Sequence, residues 1–245
     1  MRGWGAVYYR EMLILGRRLW RVLASMSVSP LLYLLAFGYA MGDRVMIRGY
    51  TYTEFLIPGL VAMASMTQAY GIASEINIAR FYWHIFEEVQ AAPINNVAYV
   101  FGEVLAGMSR ALIAVIVILT LGFLFNVSLG YYSLWFWLAI ALNSFIFASL
   151  AVGIAMLVKS HSDQAMVSNF IITPMAFLGG TFFPIDRLPP TAQKVLFFLP
   201  LTHASKAIRA SAFGQRSDIY DYMLLTFIGC LFFFIAIHCV NRAKD

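Results

Sequence analysis

The chain has 245 residues, of which 61% are hydrophobic and only 12% are charged, and its mean hydropathy is +0.77. Soluble domains are about one-quarter charged, and a compact particle of this size cannot bury so much apolar surface away from water, so the composition excludes an ordinary soluble domain and indicates a lipid environment. The net charge of +5 arises from cations near the ends of apolar segments, a distribution typical of headgroup contacts and loops rather than of nucleic-acid binding.

The first predicted element is an amphipathic helix over residues 3–22. Arg10, Arg17 and Arg21 lie on one side of it, and Arg18 interrupts the pattern. The opposite face carries apolar side chains at helical spacing, namely Trp4, Tyr8, Met12, Leu15, Leu19 and Val22. Such a helix lies in the membrane interface; the alternative is a plain cytoplasmic lead-in to the first span. We expect no cleavable signal, because the start of the chain lacks a short apolar core followed by small residues.

Six apolar runs follow, and each supplies the roughly 20 residues that a helical span of a bilayer requires. They lie near 23–41, 55–75, 97–125, 133–158, 164–183 and 219–240. Together they predict an all-α membrane protein with six transmembrane helices in a single transmembrane domain, residues 1–245.

Lysine and arginine residues predict the orientation, because they favour the cytoplasmic side. With both termini cytoplasmic, nine of these cations lie inside and seven outside, and five precede the first span against two that follow it. The inner set is Arg2, Arg10, Arg17, Arg18, Arg21, Arg80, Lys159, Arg242 and Lys244. The outer set is Arg44, Arg48, Arg187, Lys194, Lys206, Arg209 and Arg216.

This orientation places the segment 76–96 and the short turn 159–163 in the cytoplasm and the segment 184–218 outside. The outer segment contains four prolines and an apolar stretch at 195–199, which a water-exposed loop would not need. It therefore predicts two short re-entrant helices, which dip back into the bilayer or lie on its outer face.

Motifs of enzymatic chemistry are not found in the sequence. There is no G-x-x-x-x-G-K-[ST] phosphate loop and no G-x-S-x-G elbow, and none of the four histidines stands in a metal-ligand pattern with another His or Cys. We therefore expect no catalytic residue, no metal and no cofactor bound by this chain.

Ionisable residues inside predicted spans are hypotheses for function. Glu103 and Arg110 are seven residues apart in the third run, hence on one helix face and roughly 10 Å apart along the axis. They either face a water-filled path or a partner helix, or have structural roles, with Glu103 solvated and Arg110 paired with backbone or another helix.

Two predicted spans have a semi-polar face. In the second run it comprises Thr67, Gln68, Gly71, Ser74 and Glu75. In the fifth run it comprises Ser168, Asn169, Thr173, Pro174, Gly179 and Gly180. Such residues usually mark contacts between helices, and two such faces in one chain also suit a shared transport route.

The cytoplasmic segment carries Trp83 and Phe86 beside Glu87 and Glu88. An amphipathic helix with apolar and acidic faces suits docking to a partner protein. The alternative is an interfacial helix resting on lipid headgroups, which anionic lipid would disfavour because of the two carboxylates.

The order of these features resembles the permease subunit of ABC type-2 exporters, close to the branch of lipo-oligosaccharide nodulation-factor exporters and daunorubicin-type drug exporters. No single motif is sharp, but their order and spacing are specific, and they cover nearly the whole chain. The segments that carry the resemblance are FLIPGL (55–60), EEVQAAP (87–93), GEVLAGMSRAL (102–112), TPMAFLGGTFFP (173–184) and LPLTHASKAIRA (199–210).

The resemblance implies six spans, a dimer, and a separate cytoplasmic ATPase subunit in two copies that binds ATP and magnesium. The second permease copy is expected to make a homodimer. The helix between spans two and three couples to the ATPase in this family, and the N-terminal helix borders it. The matching coupling residues here are Phe81, Trp83, Phe86, Glu87, Glu88 and Pro93.

Family members carry substrate between the two subunits, mainly along spans one, two and five. With the two ionisable residues of the third run, the path residues suggested here are Tyr33, Phe37, Thr67, Gln68, Tyr70, Glu103, Arg110 and Met175. The implied function is the permease of an ATP-driven exporter that moves an amphipathic, lipid-linked or drug-like substrate outward across a bacterial cytoplasmic membrane.

Two alternatives belong to other classes. A membrane-embedded lipid-modifying enzyme would need polar residues converging in one pocket, and the sequence shows no dense His, Asp or Glu cluster. An ion-coupled secondary transporter would predict internal repeats and broken helices in two halves, and no such repeat is visible in the sequence.

Overall fold

The computed structural model describes residues 3–42, 45–127 and 129–243, and helices dominate it. Arg2, Arg44 and Lys244, three of the cations counted for the orientation, lie outside these residues. The helices are α1 (Trp4–Arg17), α2 (Leu19–Tyr33), α3 (Tyr52–Tyr70), α4 (Ile72–Phe81), α5 (Ile85–Ala91), α6 (Asn96–Leu124), α7 (Leu134–Leu157), α8 (His161–Val167), α9 (Thr173–Leu178), α10 (Pro190–Phe197), α11 (Pro200–Ala212) and α12 (Ile219–Arg242).

Short elements join these helices. A π-helical turn, Leu34–Gly38, and a last helical turn, Tyr39–Met41, continue α2, and a second π-helical turn, Ser168–Ile172, links α8 to α9. A 3-10 turn covers Ile185–Arg187. The two-residue strands β1 (Met46–Ile47) and β2 (Tyr50–Thr51) pair antiparallel between α2 and α3.

Within the described residues, five helical stretches are long and apolar enough to cross a membrane. They are Leu19–Gly38, Tyr52–Phe81, Asn96–Leu124, Leu134–Leu157 and Ile219–Arg242. The predicted all-α membrane fold is thereby confirmed. The run predicted at 164–183 is helical from His161 to Leu178 but is broken by a π-helical turn and is not one of the five, so the count of six spans stays a prediction.

Side-chain caps fix where three long helices begin. Thr51 and Glu54 form a capping box at the start of α3, in which each side chain bonds the backbone N–H of the other residue. Asn95 accepts from the N–H of Val97 before α6, and Asp218 accepts from that of Tyr220 before α12.

The second span forms the centre of the bundle. In an apolar stretch of 18 residues within this span, 83% of the residues are buried, because α6, α7 and α11 all pack against α3. The stretch Leu19–Gly38 is the least buried of the five, since only 17% of the residues in its corresponding apolar stretch are buried. Most of its side chains therefore remain available for contact with lipid or another subunit.

A buried amide holds α3 against α7. The side chain of Asn143 is fully buried and donates to the carbonyl oxygen of Ala62 at 3.0 Å and to Oγ of Ser65 at 2.8 Å. Hydrogen bonds of this kind stabilise contacts between helices where no water competes for them.

Candidate functional site

The predicted coupling segment forms a short helix, α5, held against the body of the protein by one buried ring. Phe86 is 6% exposed and packs edge-to-face on Tyr99, with ring centroids 5.5 Å apart. The guanidinium of Arg80 lies 5.2 Å from the centroid of the Phe86 ring and 4.7 Å from that of Phe81. Arg80 also donates to the carbonyl oxygen of Met156 at 2.6 Å, which ties the segment to the end of α7.

The remaining coupling residues point away from the bundle. Trp83, Glu87, Glu88 and Pro93 are all exposed. The carboxylate of Glu87 contacts Nδ1 of His84 at 3.2 Å. The segment thus presents an aromatic ring and two carboxylates on a helix that its buried side orients. The coupling role of these six residues stays a prediction.

Helix α1 lies along α6 and ends earlier than predicted. The backbone leaves the helical conformation at Arg18, the residue that interrupts the amphipathic pattern, and Leu19 to Val22 belong to α2. Two contacts fix α1 on α6: the hydroxyls of Tyr8 and Ser109 are 3.0 Å apart, and the ring of Trp4 meets that of Phe101 edge-to-face.

Gly102 is a point of close approach between α1 and α6. A Cβ at this position would lie 2.8 Å from the carbonyl oxygen of Trp4 and 2.8 Å from Cβ of Val7. The absence of a side chain is therefore what allows the two helices to pack this closely.

We expect Gly102→Ala to displace α1, because the added methyl group overpacks the contact at a cost of about 1–3 kcal/mol. The measurement is maleimide labelling of a Leu15→Cys reporter, which is 8% exposed in the folded chain, after Cys230 and Cys239 are replaced by alanine. Gly16→Ala is the matched control, since a Cβ there meets nothing within 4 Å. Equal labelling rates in both variants would contradict the packing argument.

The two ionisable residues of the third span face different partners. Arg110 forms an ion pair with Glu75 on α4. Glu103 is 2% exposed and faces α1, beside Arg10 and Glu11. Although they lie on one helix, these side chains therefore do not form a common pair.

A narrow groove lies between α1, α4 and α6 and is lined by Glu11, Glu75 and Arg110. Burial raises the pKa of the Glu11 carboxyl, and the nearby Glu75 carboxylate raises it further, against the lowering effect of Arg10 and Arg110. Glu11 also pairs with Arg10 at 3.4 Å. The N-terminal helix thus places Glu11 close to the Arg110–Glu75 ion pair that joins spans two and three.

The path residues of span one, Tyr33 and Phe37, lie in an aromatic cluster with Phe177 and Phe182 of the fifth run. The Tyr33 ring lies 5.0 Å from that of Phe182 and 6.3 Å from that of Phe177, and the Phe37 ring lies 5.4 Å from that of Phe182. Met175 lies on the same helix as Phe177. Phe177 and Phe182 were not singled out from the sequence, although both stand in the segment TPMAFLGGTFFP.

The path residues of span two lie near the C-terminal end of α3 and are not part of this aromatic cluster. Thr67 and Gln68 are half-buried near the end of α3, and the buried Tyr70 hydroxyl accepts from the side-chain amide of Gln164 at 2.9 Å. The path assignment remains a prediction for all eight residues.

A buried polar network joins the segment 184–218, which was predicted to lie outside, to α12, and the sequence interpretation missed it. Nδ1 of His203 lies 2.8 Å from Oδ1 of Asp221, and Nε2 lies 2.8 Å from the carbonyl oxygen of Phe197. Lys206 contacts the other oxygen of Asp221 at 3.1 Å. The network fastens α10 and α11 to the start of α12. The spacing of these residues in the sequence gives no sign of it, because Asp221 follows His203 by 18 positions and a turn.

Apolar side chains of α10 and its C-terminal end are exposed. Val195, Phe197 and Phe198 are 66%, 48% and 81% exposed. This is the apolar stretch from which re-entrant helices were predicted, and its exposure is consistent with contact to lipid. Across residues 3–42, 45–127 and 129–243, no group of three or more His, Cys, Asp or Glu residues is placed to hold a metal ion.

Comparison with known proteins assigns this architecture to a family. The family described as ABC-2 type transporter matches residues 3–213. The chain is 30% identical over 223 residues to the "Inner membrane transport permease YadH" of Escherichia coli (strain K12), covering 89% of this chain and 84% of that protein. It is 32% identical over 223 residues to the "Nodulation protein J" of Rhizobium meliloti (strain 1021), covering 86% of this chain and 82% of that protein. This chain therefore belongs to the ABC-2 type transporter family, as one of its membrane permeases.

Proposed function

We propose that this permease is the membrane half of an ATP-driven exporter, which moves an amphipathic, lipid-linked or drug-like substrate outward across a bacterial inner membrane. The observation that carries the proposal is helix α5, whose buried Phe86 fixes it on the bundle while Glu87 and Glu88 remain exposed. A helix so oriented is suited to receive motion from a docked protein and pass it to spans two and three.

The sequence of this chain has no phosphate loop, so the energy source is a separate ABC ATPase subunit that holds ATP and magnesium. We propose two ATPase copies and two copies of this chain as a homodimer, with both termini cytoplasmic. The sparsely covered stretch Leu19–Gly38 and the exposed rings of Phe170 and Phe177 supply an apolar face for the second copy. The relatives support transport in an inner membrane, since one of them is an inner membrane transport permease.

In this mechanism the chain contributes contacts rather than bond-making groups. ATP binding closes the two ATPases, α5 transmits the closure, and the interface between the permease copies opens toward the outside. Packing of α1 on α6, through the contact of Tyr8 with Ser109 and the close approach at Gly102, makes the N-terminal helix move with span three.

Co-purification in detergent with a co-expressed ABC ATPase subunit tests the proposal. We expect a complex with two copies of each subunit by mass, and ATP hydrolysis above that of the ATPase alone. The control is the same ATPase with its phosphate-loop lysine replaced, which should assemble but not hydrolyse. A permease that purifies alone, with an activity of its own, would contradict the proposal and favour a carrier or a membrane enzyme.

A further inference from the structure

A cavity of about 450 Å³ opens at the end of the bundle opposite α5. Phe55 lines it from the first turn of the helical stretch Tyr52–Phe81, which is roughly 45 Å long at 1.5 Å per residue. Its other walls come from the β-hairpin, the 3-10 turn, α11 and the segment before α12. The volume lies within the range of small-molecule sites, roughly 300–1,000 Å³.

The carboxylates in the wall of the cavity are already engaged. Asp186 accepts from Arg48 at 2.9 Å, and this hydrogen bond lowers the pKa of the Asp186 carboxyl. Asp221 contacts Lys206 and His203. Asp218 accepts from the first turn of α12 as its N-cap.

Two cations in the same wall, Arg209 and Arg216, contact no carboxylate among the residues that the structure describes. The cavity therefore has an excess of positive charge that its own side chains do not neutralise.

Arg209 is held in place without being neutralised. Its guanidinium carbon lies 3.9 Å from the centroid of the Phe55 ring, and Nη2 donates to the carbonyl oxygen of Gly180 at 2.8 Å. Its Nε has no hydrogen-bond partner among the residues that the structure describes. A guanidinium fixed by a ring on one face is pre-organised to bind a phosphate or carboxylate.

A second polar group in this wall also lacks a partner. Thr202 is only 9% exposed, and its hydroxyl makes no hydrogen bond within the described residues. Burying an unpaired hydroxyl is unfavourable, and a ligand that rearranges this wall would offer it an acceptor.

Apolar side chains complete the lining. Ile47 and Ile185 contribute aliphatic surface, and the rings of Tyr50 and Phe213 stack with centroids 3.8 Å apart. This combination of fixed cations and apolar walls fits a molecule that is anionic at one end and apolar at the other.

We propose that this cavity binds the phosphate or carboxylate headgroup of an amphiphile at the outer face of the membrane, with Arg209 and Arg216 as its cationic contacts. The outer location follows from the predicted orientation. Binding requires neither ATP nor an ATPase, so its test is independent of the exporter proposal.

The test measures lipid retained by the full chain, purified in neutral detergent, by native mass spectrometry after addition of phosphatidylglycerol or phosphatidylcholine. We expect the unmodified chain to retain the anionic lipid in preference to the zwitterionic one. Arg209→Gln and Arg216→Gln should each weaken that retention about tenfold, the effect of losing one charge-assisted contact.

The matched control is Arg187→Gln, an exposed cation of the same segment that does not line the cavity. Arg216 is itself exposed and forms no ion pair among the described residues, so its variant keeps the test decisive if Arg209→Gln fails to fold.

A competition arm separates the two sources of an anion. Displacement of phosphatidylglycerol by millimolar inorganic phosphate would support an anion site that free phosphate also occupies. Retention against phosphate, with loss in both variants, would support a lipid headgroup as the ligand. Equal retention of the two lipids by the unmodified chain, or retention in Arg209→Gln and Arg216→Gln equal to that in Arg187→Gln, would overturn the proposal.

Discussion

Substitution His203→Ala is expected to lower the melting temperature of the detergent-solubilised permease by roughly 10 °C. It removes one partner of a buried pair in which His203 and Asp221 are 4% and 1% exposed at their side chains. Breaking such a pair leaves a buried carboxylate poorly compensated, at a cost of about 3 kcal/mol, and in a chain of this size each kcal/mol corresponds to about 2–4 °C. Lys206 remains as a partner, but its side chain is 61% exposed and solvated.

His161→Ala is the matched control for this loss, because His161 is exposed at the start of α8. Its melting temperature should stay near that of the unmodified chain. His203→Gln should fall between the two, since an amide replaces one of the two contacts of the imidazole. If His203→Ala and His161→Ala melt at the same temperature, the network does not stabilise this end of the bundle.

The same substitution has a local consequence. Nε2 of His203 contacts the carbonyl oxygen of Phe197 at the end of α10, so the loss of the ring releases α10 as well as removing the contact with Asp221 on α12. Protection from proteolysis should therefore fall first at residues 190–199.

The long helices were predictable because their signal is local. An uninterrupted apolar run specifies a helix wherever water is excluded, and the bounds of α6 and α7 lie close to the predicted runs. The fifth run was harder, since Pro174 removes a backbone donor and the chain passes through a π-helical turn at Ser168–Ile172. Interruptions of this kind depend on how neighbouring helices satisfy the freed carbonyls.

The partners of individual side chains were not predictable, because they depend on the rotation and register of helices that are distant in sequence. Arg110 contacts Glu75, 35 residues away, and Arg209 stacks on Phe55 across an even longer separation. The β-hairpin was also missed. Arg48 and Gly49 both have positive φ, 52° and 85°, as a two-residue hairpin turn requires, and an arginine there gives a weak signal.

The composition of the segment indicated docking to a partner protein and the family resemblance implied a coupling role, whereas the structure adds which of its side chains are buried and which are exposed. Phe86 was predicted as a residue of the coupling segment, and in the structure it lies buried between Arg80 and Tyr99. Its contribution is to fix the orientation of α5. The carboxylates of Glu87 and Glu88 follow directly on the exposed side.

The double substitution Glu87→Lys and Glu88→Lys is expected to weaken association with the ATPase by about a hundredfold, or about tenfold for each reversed charge. Fold and membrane insertion should be unaffected, because both side chains are exposed and the Glu87 carboxylate is 75% exposed. The measurements are the dissociation constant in detergent and the ATP hydrolysis rate of the complex. The loss of affinity caused by the double substitution should be larger at low salt than at high salt, because the contact is electrostatic.

Asp163→Lys is the matched control, since it reverses another exposed carboxylate at the cytoplasmic end predicted for this bundle but outside α5. Loss of association in the double variant alone would place the ATPase-binding surface on α5, because the buried Phe86 keeps the helix on the bundle and only the charge has changed. Unchanged association in both variants would exclude α5 as the ATPase-binding surface. The exposed carboxylates would then mark neither a protein-binding surface nor a surface that rests on anionic headgroups. The ATPase would have to bind elsewhere on the face predicted to be cytoplasmic, for instance on α1.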